Sequence, residues 1–275
     1  GYLERHREDK EALLEQDRQY HFSRGMKEKE TEDERRANAK LQRLKAAHAD
    51  TALHNVSIRN VFGQMEAVKK STLYAVLDAM PKGGLHHLHT TAGPPVEAFL
   101  AICRDPATYY NERTKLLKVY PSHDPEPGYE QCIQLRAADP KGFDTEMRKR
   151  IVLTQDESVG LETRDIWSYF QHKFSLCKEV SKYKPFFVAN LKANLRACIA
   201  QNIDIVELRH TTGSIFDEQK VPIPMLDELA LISSIVAELK QENPHFELAL
   251  VISAYKAVGQ SHVDKMLNHY ATAKE

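Results

Sequence analysis

The sequence predicts an α/β fold built on parallel strands and preceded by a helical arm. Three observations carry that expectation. Two short apolar runs, Ile203 to Arg209 and Phe246 to Ser253, read as buried strands, and each is followed by an amphipathic helix, from Pro224 to Gln241 and from Ser261 onward. Strand, helix, strand, helix at this spacing points to parallel βαβ units. A further strand, Leu85 to His89, stands upstream and is introduced by Gly83 and Gly84. Finally, the first fifty residues hold 24 charged side chains, 12 of each sign, and no proline. That is the composition of a solvated helix, in which opposite charges three and four apart support one another.

Within this arm, Thr31-Glu32-Asp33-Glu34 fits the capping box, a hydroxyl followed three residues later by a carboxylate. The helix it starts should run through Leu41, Leu44 and Ala47, a narrow apolar stripe. Residues 52 to 79 read as further helix, with Val61, Phe62, Met65, Val68, Leu73, Val76 and Leu77 at helical spacing until Pro81 breaks the pattern. From Arg104 to Pro140 the periodicity is lost; counted with Pro94 and Pro95 just upstream, the region holds seven prolines. An irregular insertion or a long ordered loop over about residues 102–140 is expected there, since long loops in compact domains are usually functional or poorly ordered. Helices should follow at Phe143 to Leu153, Ile166 to Val180 and Pro185 to Ala200, the last with Phe187, Leu191, Leu195 and Ile199 spaced at four. The chain thus divides into a helical arm, 1–79, and a main domain, 80–275.

Composition narrows the function classes. With 38 Lys+Arg against 39 Asp+Glu the formal net charge is -1, so no whole-chain basic field for nucleic acid exists. No apolar run approaches the ~18 residues of a membrane-spanning helix. Four cysteines in 275 residues cannot make a disulfide scaffold, although one bridge remains open.

The chemistry lies in Met80-Pro-Lys-Gly-Gly-Leu-His-His-Leu-His-Thr-Thr-Ala-Gly93. On a strand alternate side chains share a face, so His87 and His89 should point the same way, with His86 on the other side and Leu85 and Leu88 packed away from them. Two imidazoles on one strand face can bind one metal ion, though histidine pairs also arise as core or surface residues. Catalytic zinc needs three or more protein ligands and an open position, so two histidines do not complete a site.

The string Met-Pro-Lys-Gly-Gly-Leu-x-His-x-His resembles the first barrel strand of the adenosine deaminase superfamily, in particular its adenosine deaminase-related growth factor subfamily. Phe143-Asp144 through Leu153-Thr154-Gln155, Asp165-Ile166-Trp167-Ser168-Tyr169-Phe170 and Val206-Glu207-Leu208-Arg209 resemble further segments of that subfamily in the right order. The resemblance covers most of the chain from about residue 25. It implies a partial (β/α)8 TIM barrel with about three of eight strands present. It also implies zinc-dependent hydrolysis of adenosine, and of 2′-deoxyadenosine, to inosine and ammonia. On this resemblance His87 and His89 are the first two Zn2+ ligands and Trp167 binds substrate, or else packs beneath the pocket. Thr90 stands where the family often has an aspartate that helps hold the ribose; it can hydrogen-bond but carries no charge. His86 is expected to pack or to support rather than to ligate.

The family's His-Ala-Gly-Glu and Ser-x-Asp-Asp motifs do not occur in these residues. No catalytic residue is therefore expected within the chain, and the general acid/base glutamate is expected beyond Glu275. The chain is expected to be an N-terminal fragment, inactive and aggregation-prone by itself because three strands leave an open parallel sheet. The resemblance further implies a homodimer through the helical arm, an inserted domain flanked by Cys103 and Cys132, which a bridge would staple, and secretion. Cys177 and Cys198 read as buried free thiols, and Asn55-Val56-Ser57 fits the N-glycosylation pattern. Two alternatives stay open: a deaminase of a related aminopurine or nucleoside, and a growth-factor-like binding protein with a vestigial barrel.

Overall fold

The computed structural model describes residues 2–20, 29–49, 64–122, 124–154, 157 and 162–274. The chain forms two compact units, Gly1–Met80 and Pro81–Glu275. In the first, α1 (Tyr2–Tyr20), α2 (Glu32–Ala49), α3 (Met65–Lys69) and α4 (Thr72–Ala79) are all helical. The capping box forms: Thr31 Oγ1 accepts from the Glu34 backbone N–H at 3.2 Å, and the Glu34 carboxylate accepts from the Thr31 N–H at 2.6 Å. Leu41 and Leu44 are half-buried while Ala47 is exposed, and α2 packs on α4. None of the described residues in this unit is fully buried. The helix expected over 52–79 is broken at Lys70-Ser71, where the Ser71 hydroxyl caps α4 by accepting from the Tyr74 N–H at 3.1 Å. Positions 52–63, with the Asn55 pattern, lie outside the described residues.

The second unit holds two sheets. The larger is parallel, with order β1-β5-β6, built from β1 (Leu85–His89), β5 (Ile205–His210) and β6 (Glu247–Ile252). No closed barrel is formed among the described residues, and β1 and β6 are the sheet's two edges. Helices α9 (Lys184–Ala200), α10 (Met225–Glu242) and α11 (Gln260–Lys274) accompany it. Their apolar residues cover one face: Leu191, Leu195, Ile232, Ile235 and Leu239 enclose Val206 and Leu208, both fully buried. The other face is uncovered, with Ile205 53% exposed and Glu207 and Arg209 half-exposed. The alternation along β5 explains this, because a strand buried on both faces reads as continuously apolar. Beside β6, Leu229, Ile232, Leu248, Leu250 and Tyr270 line an apolar groove.

The segment read as irregular holds regular elements, and that expectation is corrected. Helix α5 (Val96–Ile102) leads into β2 (Thr108–Asn111), β3 (Leu116–Val119) and β4 (Glu130–Gln131), an antiparallel sheet of order β3-β2-β4, followed by α6 (Cys132–Ala138). The hairpin turns on Asn111, whose side-chain oxygen accepts from the N–H groups of Arg113 and Thr114 at 3.0 and 2.9 Å. Lys115 takes the left-handed conformation, φ 59°, that glycine or asparagine usually supplies. The sheet packs with α7 (Pro140–Ile151) and α8 (Thr163–Cys177) around a second core that includes Leu100, Leu117, Val119 and Met147. Adjacent residues on α9 serve the two cores, Phe186 this one and Phe187 the parallel sheet's.

Cys103 and Cys132 meet in the antiparallel core as free, buried thiols, so the bridge is not formed here. Their mutual hydrogen bond, then burial, pushes the Cys132 thiol far up, leaving it an inert proton-bearing group at neutral pH. Cys177 and Cys198 are likewise free and buried.

One ion pair ties the antiparallel unit together and should be visible in acid. Asp144 on α7 accepts two bonds from Arg136 on α6, at 2.8 and 3.0 Å, and a third from Arg104 at 3.3 Å. The Arg136 hydrogen bonds hold the Asp144 carboxyl below its ordinary value of 3.8. A depressed folded value means the carboxylate's stabilisation is complete above the unfolded value and is lost as pH falls through the folded one. Asp144→Asn should therefore unfold more easily than wild type at pH 7, and the difference should close below about pH 3.8, as read from urea midpoints at both pH values.

Candidate metal and substrate site

The candidate site occupies the uncovered face of the parallel sheet and the C-terminal ends of its strands. In β1 the register places Leu85 opposite Val206, Leu88 opposite Leu208 and His89 opposite Arg209, with an irregularity between Leu85 and Leu88. Strict alternation would put residues three apart on opposite faces, yet both leucines pack against the buried cluster. The bulge absorbs the extra residue. One consequence corrects the sequence reading of His86. Its imidazole is 80% exposed and lies 3.4 Å from Glu207, which belongs to the face opposite Val206 and Leu208. His86 therefore shares the open side of the sheet rather than turning under it. The Arg209 guanidinium donates to the His86 carbonyl and steadies the bulge.

His87 and His89 converge. Their Nε2 atoms are 3.0 Å apart, and the rings are tilted by 49° with centroids 5.0 Å apart. Partial burial, then the charges of His87 and Arg209, lower His89 below the ordinary imidazole value of 6.5, so its ring is neutral at pH 7. A neutral imidazole with a free lone pair is the form that binds metal. Two nitrogens at this separation can both reach one zinc ion at about 2.0–2.1 Å. The fit stops at two: among the described residues no group of three or more His, Cys, Asp or Glu is placed to hold a metal ion. By itself the pair does not complete a metal site.

The end of β1 is fixed from α9. Asn194 Nδ2 donates to the His89 carbonyl at 3.4 Å, and Gly93 packs so closely on this amide that a Cβ there would stand 2.4 Å from Asn194 Nδ2. Thr90 follows His89, and its hydroxyl lies 3.2 Å from His210 Nδ1. His210 closes β5 on its covered face and is 3% exposed; its Nε2 lies 2.5 Å from Oε1 of Glu228, a fully buried carboxylate on α10. The other carboxylate oxygen accepts from the Gly213 N–H at 2.7 Å, where the loop turns through φ 73°.

Thr90, His210 and Glu228 thus form one connected line, of which only Thr90 was singled out from the sequence. Glu228 stands in register with Ile232, Ile235 and Leu239, all buried. A carboxylate in an apolar stripe at helical spacing is the signal that could have found it. Trp167 is elsewhere: it lies on α8, is 59% exposed, and its ring meets Phe170 edge-on at 5.7 Å.

No family model matches the chain. It is 22% identical over 239 residues to an adenosine deaminase of Lutzomyia longipalpis, an alignment covering 82% of this chain and 47% of that protein. A second adenosine deaminase, of Phlebotomus duboscqi, is 21% identical over 241 residues, covering 78% of this chain and 44% of that protein. The chain is distantly similar to adenosine deaminases over most of its length, and it spans about half the length of these curated relatives.

Proposed function

We propose that the chain is part of an adenosine deaminase-family enzyme of the growth-factor-related type. Such an enzyme hydrolyses adenosine, and 2′-deoxyadenosine, to inosine and ammonia with zinc. The observation that carries this reading is the convergence of His87 and His89 at the end of β1. They lie within a stretch that an alignment over 82% of the chain necessarily includes. The three parallel strands are read as part of a (β/α)8 barrel, a fold that places its active sites at the C-terminal ends of the strands.

Zinc, when bound, supplies Lewis-acid activation of water at neutral pH. This chain's own residues do the preparatory work. His87 and His89 offer two nitrogen donors, the bulge and Arg209 hold their strand, and Thr90, the residue after His89, offers a hydroxyl for a substrate hydroxyl. The hydrolysis adds water at the purine carbon bearing the amino group, and that group leaves as ammonia after gaining a proton. Among the described residues no further ligand group stands with the pair, and the glutamate that moves the proton is not assigned to a residue of this chain. Pairing of two copies through the helical arm, and secretion, belong to the same proposal. Among the described residues no helix is long and apolar enough to cross a membrane.

The test is ammonia release from adenosine by the protein expressed with its complete reading frame and supplied with zinc. Turnover that a chelator stops and zinc restores supports the proposal. A folded, zinc-supplied protein that releases no ammonia from any of a panel of aminopurine nucleosides overturns it.

A further inference from the structure

The line from Glu228 through His210 to Thr90 has a direction. The two Glu228 oxygens face two partners, the Gly213 N–H at 2.7 Å and His210 Nε2 at 2.5 Å. With an ionised carboxylate, which only accepts, a neutral imidazole carries its proton at Nε2. In that arrangement Nδ1 is a lone pair, and the Thr90 hydroxyl, 3.2 Å away, is placed to donate to it. With its single proton committed inward, the Thr90 oxygen presents only lone pairs to anything in front of it.

We infer that His210 donates from Nε2 to Glu228, and that these two are positioning residues that turn Thr90, the residue after His89, into an obligate hydrogen-bond acceptor and so select a ligand that presents a hydroxyl donor there. The inference rests on the deaminase reading for the ligand's identity, though not for the relay itself. It gives a neutral threonine the hydrogen-bonding sense of a carboxylate without placing a charge next to the imidazole pair. It also explains why a carboxylate is kept fully buried in the apolar stripe of α10, where an unpaired one would be costly. A site built around a pure acceptor rejects a ligand group that cannot donate, because the acceptor is left unpaired.

Glu228→Gln reverses the relay without changing its shape. The Gly213 N–H still needs an acceptor and takes the amide oxygen, which turns the amide NH2 toward His210 Nε2. The imidazole proton must then move to Nδ1, where it donates to Thr90, and the Thr90 hydroxyl proton points outward.

Two readouts test this in the protein with its complete reading frame. The first is the 15N signature of His210: Nε2–H in the wild type and Nδ1–H in Glu228→Gln. The second is preference for adenosine over analogues in which each sugar hydroxyl in turn is replaced by fluorine, which accepts but does not donate. For one hydroxyl, Glu228→Gln should lower the preference about tenfold through KM with kcat held, the worth of one hydrogen bond. The same change made in Thr90→Val should add nothing.

The proposal is overturned if wild-type His210 carries its proton on Nδ1 or on both nitrogens, or if the Glu228→Gln effect persists without the Thr90 hydroxyl. Should Glu228→Gln not fold by circular dichroism, the wild-type tautomer and the single variant Thr90→Val decide, since that variant must lose the fluorine discrimination. A protein with the expected tautomers that turns over no nucleoside overturns the deaminase reading and the ligand role of Thr90, and leaves the relay standing.

Discussion

Replacing His87 by alanine should remove bound zinc and lower adenosine turnover by at least ~10³-fold in the protein with its complete reading frame, since the activation of water at neutral pH depends on the metal. His89→Ala should do the same. The informative control is His86, which stands one position from His87 and three from His89 in the chain and lies on the same open face. His86 makes an exposed contact with Glu207 instead of joining the pair. Exposed pairs of this kind contribute about 0–1 kcal/mol. His86→Ala should therefore keep its zinc, measured by metal analysis of the dialysed protein, and its activity within about twofold. If His86→Ala loses zinc as completely as His87→Ala, the bulge does not separate the three histidines as described, and the pair is not the ligand set.

The contrast among these three histidines also marks how far the sequence could be read. Period-two alternation was sufficient to join His87 with His89, because their spacing is the repeat of a strand. It failed at His86 because alternation assumes an unbroken ladder, whereas Leu85 and Leu88 both seek the core and force an extra residue between them. The two downstream strands were legible because each is an apolar run ended by turn residues. Their limits shifted by one or two positions, Phe246 being a buried residue just ahead of β6 rather than its first member. The antiparallel hairpin escaped notice for a local reason. Its turn is made by Asn111 and a left-handed Lys115 with no glycine, amid prolines that suggested an irregular loop. The Thr90–His210–Glu228 line was hidden for a different one. Its members are 120 and 18 residues apart in pairs, so the line exists only once β1, β5 and α10 are packed.

The second large effect concerns the one-sided sheet. Phe246 is fully buried and packs in the cluster formed by Leu195, Leu208, Ile232 and Leu239. Its backbone N–H closes the turn after α10 by donating to the Asn243 carbonyl at 3.0 Å, so the ring is pinned between helix and strand and neighbours cannot collapse freely into its place. Phe→Ala at such a site costs about 3–5 kcal/mol, the lost transfer energy plus the cavity. For a unit of this size each kcal/mol lowers Tm by roughly 2–4 °C, so Phe246→Ala should melt about 6–20 °C below the wild type. Ile205 provides the opposite case. It is also a large aliphatic residue of the same sheet, but it projects from the uncovered face and is 53% exposed. Ile205→Ala in the 275-residue chain should shift stability by no more than about 0.5 kcal/mol. Thermal melts by circular dichroism would compare the two at high dilution, where association through the edges of β1 and β6 is slow. A loss at Ile205 as large as that at Phe246 would mean that the face bearing His87 and His89 is packed rather than open. The candidate site would then have no room for a substrate.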